Sequence, residues 1–298
     1  MKDCIKTLTI IFVFFPAFLP ADDNVRRTAP SEDVWIVDTR FTSWTRGSEE
    51  DFKSIAYFRH QGNHWKRSDA ETFFGSQNPT VPLIVFSPGY TSTVQDNINV
   101  ANELVQKTKG RTCRIVIWNW PSERVYFGLR KDIRSKISVA EANGRYLAMF
   151  LENLHAESRV CLFAFSFGNR IVCDALEIFD KTRPPTMKLY LVLGAPAIDA
   201  DSLNQGGRNE RVPHVVDKTL LFYNPRDLRL AFYPFLYGPH YRTVSLGQYG
   251  PLDNHRELER TTAINTSSKL KRLHQTLLLM NIKPFNETFD EYFLFSDL

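Results

Sequence analysis

The sequence predicts an α/β protein with a mostly parallel central sheet flanked by helices on both faces. Three observations predict it. Short apolar runs without polar alternation, such as Leu83–Phe86 (LIVF), Arg114–Trp118 (RIVIW) and Val160–Phe165 (VCLFAF), read as strands buried on both sides. Helical periodicity lies between them, and a helix joining two neighbouring strands makes a right-handed crossover that keeps those strands parallel. Hydrophobic residues make up 43% of the 298-residue chain and charged residues 23%, the balance of an ordinary globular protein.

In chain order, Val34–Asp38 and Ile55–Phe58 read as early strands, with 62–78 as a polar connection. Pro82 and Pro88 bound the strand Leu83–Phe86. In the helix after it, Ile98, Ala101 and Val105 share a face. Arg114–Trp118 is the next strand, and the helix behind it carries Leu147, Phe150, Leu151 and Leu154 at i, i+3, i+4, i+7. Val160–Phe165 follows with its helix Ile171–Phe179. Lys188–Leu193, Thr219–Tyr223 and Thr261–Asn265 complete the strands, and a final helix is expected over 268–281.

Composition excludes several classes. A net charge of +4, from 37 basic and 33 acidic residues, is too small and dispersed for a nucleic-acid partner. The 23 Phe, 11 Tyr and 5 Trp imply a core or pocket lined by rings. Lys2 and Lys6 precede an apolar run from Leu8 to Leu19, then Ala21 and the acidic pair Asp22 and Asp23. That order describes an export signal over 1–21, with 22–298 as one domain secreted or exported across the membrane. An uncleaved anchor is the alternative. Beyond the leader the thiols are Cys113, Cys161 and Cys173, an odd number with two in apolar strand or helix contexts, and they read as buried free thiols rather than a disulfide framework. No metal-ligand spacing is present and no cofactor is implied.

Chemistry concentrates at one turn. After the strand ending at Phe165, Ala164-Phe165-Ser166-Phe167-Gly168 leads into a helix. This is the strand, tight turn and helix of a nucleophile elbow, with alanine at the first glycine position. Small residues two before and two after the serine let strand and helix come close, and the helix N-terminus favours negative charge beside Ser166.

With Leu83–Tyr90, Ile115–Glu123 (IVIWNWPSE), the elbow through Asp174, and Asn224–Asp227, the chain resembles the α/β-hydrolase superfamily, in an exported branch. Members usually carry His-Gly after the third strand, where this sequence has Pro88-Gly89. The resemblance implies a Ser, acid, His order along the chain and oxyanion donors from the backbone of Phe167 and Tyr90. Asp227, after the strand Thr219–Tyr223, falls where the acid is expected; Asp199 is its rival, and a turn aspartate capping its own backbone is the plainer reading. Of His240, His255 and His274, the last follows the final strand and opens the closing helix, so it is the expected base. His255 stays the alternative. Leu270, Leu273 and Leu277 would share one helix face there, which would make His274 a partly buried structural residue instead.

Residues 228–250, with Phe232, Tyr233, Phe235, Tyr237, Tyr241 and Tyr249, form a candidate lid or acyl pocket. Trp118, Asn119 and Trp120 are candidates for the same pocket. The function these residues imply is a serine hydrolase cleaving a small-molecule or lipid-like carboxylic ester through an acyl-enzyme intermediate. The rival is a non-catalytic binding protein on the same scaffold.

Overall fold

A computed structural model describes residues 33–62, 64–108, 110–237, 244–251 and 260–296. The leader, His240, Tyr241 and His255 lie outside the described residues. The first elements are β1 (Asp33–Asp38), α1 (Glu49–Lys53), β2 (Ala56–Gln61), β3 (His64–Ser68) and α2 (Ala70–Gly75). The centre comprises β4 (Leu83–Ser87), α3 (Val94–Thr108), β5 (Arg114–Asn119), α4 (Leu129–Glu152), β6 (Arg159–Phe165) and α5 (Gly168–Phe179). Then come β7 (Lys188–Gly194), α6 (Val212–Val215), β8 (Lys218–Tyr223), α7 (Leu228–Ala231), α8 (Tyr233–Tyr237) and α9 (Leu246–Tyr249). The chain closes with β9 (Thr261–Asn265), α10 (Ser267–Leu270), α11 (Thr276–Met280) and α12 (Lys283–Leu294).

The strands form one nine-stranded sheet in the order β3-β2-β1-β5-β4-β6-β7-β8-β9. Among the described residues, the strand pairings along β1-β5-β4-β6-β7-β8-β9 are parallel, and the β1–β2 and β2–β3 pairings are antiparallel. The strand residues β4 to β7 contribute are almost all buried, as their unbroken apolar runs require. Helices α4 and α5 pack together on one face, and α3, α11 and α12 group on the other. Aromatic rings cluster under α12, where Phe285, Phe289 and Phe293 recur every fourth residue: Phe285 and Phe293 meet Phe163, Phe285 also meets Phe222, and Phe289 stacks on Phe293.

Two expectations are corrected. The connection 62–78 holds a strand and a helix, β3 and α2. The helix expected over 268–281 is broken, because Lys271 takes a left-handed φ of 53° and ends α10. His274 therefore lies in the short link before α11 rather than on a helix. Leu273 and Leu277 are exposed while Leu270 is buried, so the three share no buried face.

Candidate active site

Parallel sheets present their ligand-handling residues beyond the carboxyl ends of the strands. Ser166 follows β6, Asp227 follows β8, and His274 follows β9.

Ser166 is held in the left-handed region, φ 52°, which is costly for a residue with a Cβ. Its surroundings over-determine that conformation. Its N–H donates to Gly194 O at 2.8 Å, and its carbonyl accepts from the Asn169 amide (3.3 Å), the Asn169 side chain (2.9 Å) and the Ala197 amide (3.0 Å). The Asn169 side chain also donates to Gly194 O at 3.1 Å, tying the turn to β7. Sequence reading passed over Asn169, although its place at the opening of α5 was a signal.

Glycine is required beside this turn. A Cβ at Gly168 would lie 2.2 Å from Ser87 O, and one at Gly89 would lie 3.0 Å from Ser166 Cβ. The end of β4 thus presses on the start of α5, and the loop Gly89-Tyr90 lies against the serine. Trp120 fixes that loop from beneath: its indole donates to Pro88 O at 2.8 Å and its ring stacks on Phe167. Trp118 and Trp120 are fully buried packing residues, and Asn119 is buried with its Oδ1 accepting from Asn97. None of the three lines a pocket with Ser166.

Tyr90 is anchored by Asp132, a buried carboxylate in the first turn of α4. The Tyr90 hydroxyl donates to Asp132 Oδ2 at 2.6 Å, while Oδ1 accepts the amides of Val125 (2.8 Å) and Tyr126 (2.6 Å). Burial alone would raise the Asp132 carboxyl. The bonds from Tyr90, Tyr126 and Val125 and the Lys136 ammonium outweigh it and hold the group below its ordinary value of 3.8. Burial also pushes the Lys136 ammonium down, and its Nζ donates to Pro121 O at 2.6 Å.

Asp227 is buried and serves two partners. Oδ1 accepts the amides of Arg229 (2.9 Å) and Leu230 (3.1 Å), capping α7, and Oδ2 lies 2.6 Å from His274 Nδ1. A carboxylate only accepts, so Nδ1 carries the proton and a neutral ring leaves Nε2 with a lone pair. The ring packs on Phe165, centroids 4.9 Å apart. Asp199, the rival acid, instead accepts the Tyr233 hydroxyl at 3.0 Å.

Ser166 and His274 line the same two cavities. The larger, about 600 Å³, runs between α4 and the α7–α8 segment and is walled by Leu129, Ile133, Leu228, Leu230, Phe232 and Leu236. Phe167, Tyr90 and Tyr233 also border it. The smaller, about 310 Å³, opens toward α3 and α11, beside Ser92, Asp96, Gln275 and Thr276. The Ser166 hydroxyl and the His274 ring are not hydrogen-bonded to each other; such bonds often tighten only with substrate. Within 228–250, buried Tyr233 and exposed Phe232 border the larger cavity, whereas Phe235 and Tyr249 are exposed and line neither cavity. Among the described residues, no three His, Cys, Asp or Glu side chains gather as metal ligands would.

Residues 67–288 match a family described as "Alpha/beta hydrolase of unknown function (DUF900)". No curated protein sequence matches the chain. Among solved structures, one from a study of two esterases of the fungus Rhizomucor miehei is 13% identical, over 81% of this chain and 78% of that one, with a TM-score of 0.39.

Proposed function

The chain belongs to the family of alpha/beta hydrolases of unknown function (DUF900), and from that premise we propose that it is a serine hydrolase cleaving carboxylic esters through an acyl-enzyme intermediate. One observation carries the reading: His274, held by buried Asp227, lines the same cavity as Ser166, which sits on a strained turn. Ser166 Oγ attacks the ester carbonyl carbon as His274 Nε2 takes its proton. Asp227 keeps Nδ1–H in place and stabilises the imidazolium that forms. The oxyanion lies between the N–H groups of Phe167 and Tyr90, each contributing about 3 kcal/mol to transition-state stabilisation. His274 returns the proton to the leaving alkoxide. Water then attacks the acyl-enzyme by the same proton path and frees Ser166.

The apolar walls of the larger cavity suit a lipid-like acyl group, and the polar side chains of the smaller one suit the alcohol portion. A fluorophosphonate probe tests the reading. Labelling of the wild type at Ser166, and its loss in Ser166→Ala, is the expected result. An unlabelled, folded wild type would leave a binding protein on this scaffold. We also propose export, on the strength of the leader; N-terminal sequencing should find the mature chain starting near Asp22, and recovery of Met1 from a cytoplasmic pool would remove the claim.

A further inference from the structure

The mouth of the larger cavity is ringed by apolar side chains that face water. Leu129, Leu228 and Phe232 line the cavity and are each about half exposed or more. Val125, Tyr126 and Phe127 extend the ring on the α4 side, with Phe127 fully exposed, and Phe235 extends it on α8, at 71%. Helices α4 and α8 pack together, so these residues form one rim. The rim is not slack, because the amides of Val125 and Tyr126 are fixed to buried Asp132. Large exposed apolar groups held rigidly around a cavity mark a surface built to be covered.

The charges beside the rim indicate what covers it. Arg124 bonds Tyr126 O at 3.2 Å, and Lys131 Nζ sits 5.1 Å from the Tyr126 ring. On the other side of Leu228, a second concavity of about 830 Å³ is lined by Arg226, Lys271 and Arg272 together with exposed Leu273. None of these five cations forms an ion pair with a described residue. The acidic residues beside them in the chain are turned elsewhere: Glu123 to Arg40 at 3.9 Å, Asp132 to Tyr90, and Asp227 to His274.

We propose that this face docks on a lipid bilayer bearing anionic headgroups, and that the cavity receives its acyl chain directly from that surface. Aromatic and aliphatic side chains flanked by cations match both layers of such an interface, acyl boundary and headgroup. A cavity opening at the centre of the ring lets a chain pass from one apolar medium to another without crossing water.

Vesicle flotation with the full chain carrying Ser166→Ala, which leaves the lipid intact, tests the proposal. The protein should float with vesicles of phosphatidylcholine and phosphatidylglycerol, and much less with phosphatidylcholine alone. Phe127→Ser with Phe235→Ser should weaken binding at least about tenfold. Lys271→Gln with Arg272→Gln should weaken it about fivefold per charge removed, only on the anionic vesicles. In the otherwise wild-type chain, both pairs should leave hydrolysis of a soluble short-chain ester unchanged. Equal binding by the Phe pair and its parent, no flotation with either vesicle, or a dimer that buries Phe127 in place of lipid would each overturn it. Binding needs no turnover, so this surface and the hydrolase reading fail separately.

Discussion

Asp227 gives one carboxylate oxygen to His274, at 2.6 Å, and the other to the two amides that open α7. The plain reading of this aspartate as a turn cap and its reading as the partner of a histidine describe the same side chain. The cap has a physical use, since a carboxylate held by two N–H groups cannot rotate away from the ring.

The two duties separate by substitution. Asparagine caps helices as well as aspartate does, so Asp227→Asn should melt within about 1 kcal/mol of wild type. Its turnover should fall about ten-thousandfold, because an amide facing Nδ1 favours the wrong tautomer. Asp227→Ala should lose the cap as well, at about 1 kcal/mol. Thermal melts and kcat on one ester substrate check both.

His274→Gln should collapse turnover to about the same level as Ser166→Ala, since residues acting as a unit are not additive. His255→Gln should scarcely change it. If the two histidines exchange these outcomes in steady-state assays, His255 is the base.

Ser166→Gly should be inactive yet more stable than Ser166→Ala by about 1 kcal/mol, because glycine adopts φ 52° freely and alanine does not. Chemical denaturation of the two variants measures the strain directly. Equal stabilities would mean that the turn stores none.

Asp132→Asn tests the anchor of the Tyr90 loop. The folded state holds this carboxyl below 3.8, so its stabilisation is fully present above that value and is lost as pH falls through the lower, folded pKa. The variant should melt earlier than wild type at neutral pH, by about 1 to 2 kcal/mol, and the gap should close in strong acid. A gap independent of pH would remove the charged form of Asp132 from the account.

The central strands were legible because burial on both faces leaves unbroken apolar runs, as in Leu83–Ser87. The antiparallel edge strand β3, His64–Ser68, was not, because it carries a histidine, a lysine and an arginine in five residues and none of the β-branched residues that mark the other edge strand, Thr261–Asn265. Around His274 the pattern misled: the three- and four-residue steps of Leu270, Leu273 and Leu277 mimic a helix, and nothing in that spacing announces the left-handed Lys271 that ends it. The positions of Ser166 and Asp227, just beyond the ends of β6 and β8, were legible from the strands they follow. The supporting roles of Asn169 and Asp132, and of Trp120 as a support rather than a pocket wall, were not legible, since their partners are 25, 42 and 32 residues away in the chain and a local pattern carries no such contact.

The strand order also makes chemistry a witness of folding. Ser166, Asp227 and His274 leave the sheet from β6, β8 and β9, with β7 between the first two and no local segment joining them. Pairing strands so distant in sequence is the slow, late part of assembling a parallel sheet. A one-residue slip of β8 against β7 would turn its side chains to the opposite face and carry Asp227 away from the ring. Recovered turnover after dilution from denaturant therefore counts molecules in which that whole half of the sheet has found its register, and it should lag the return of helical signal.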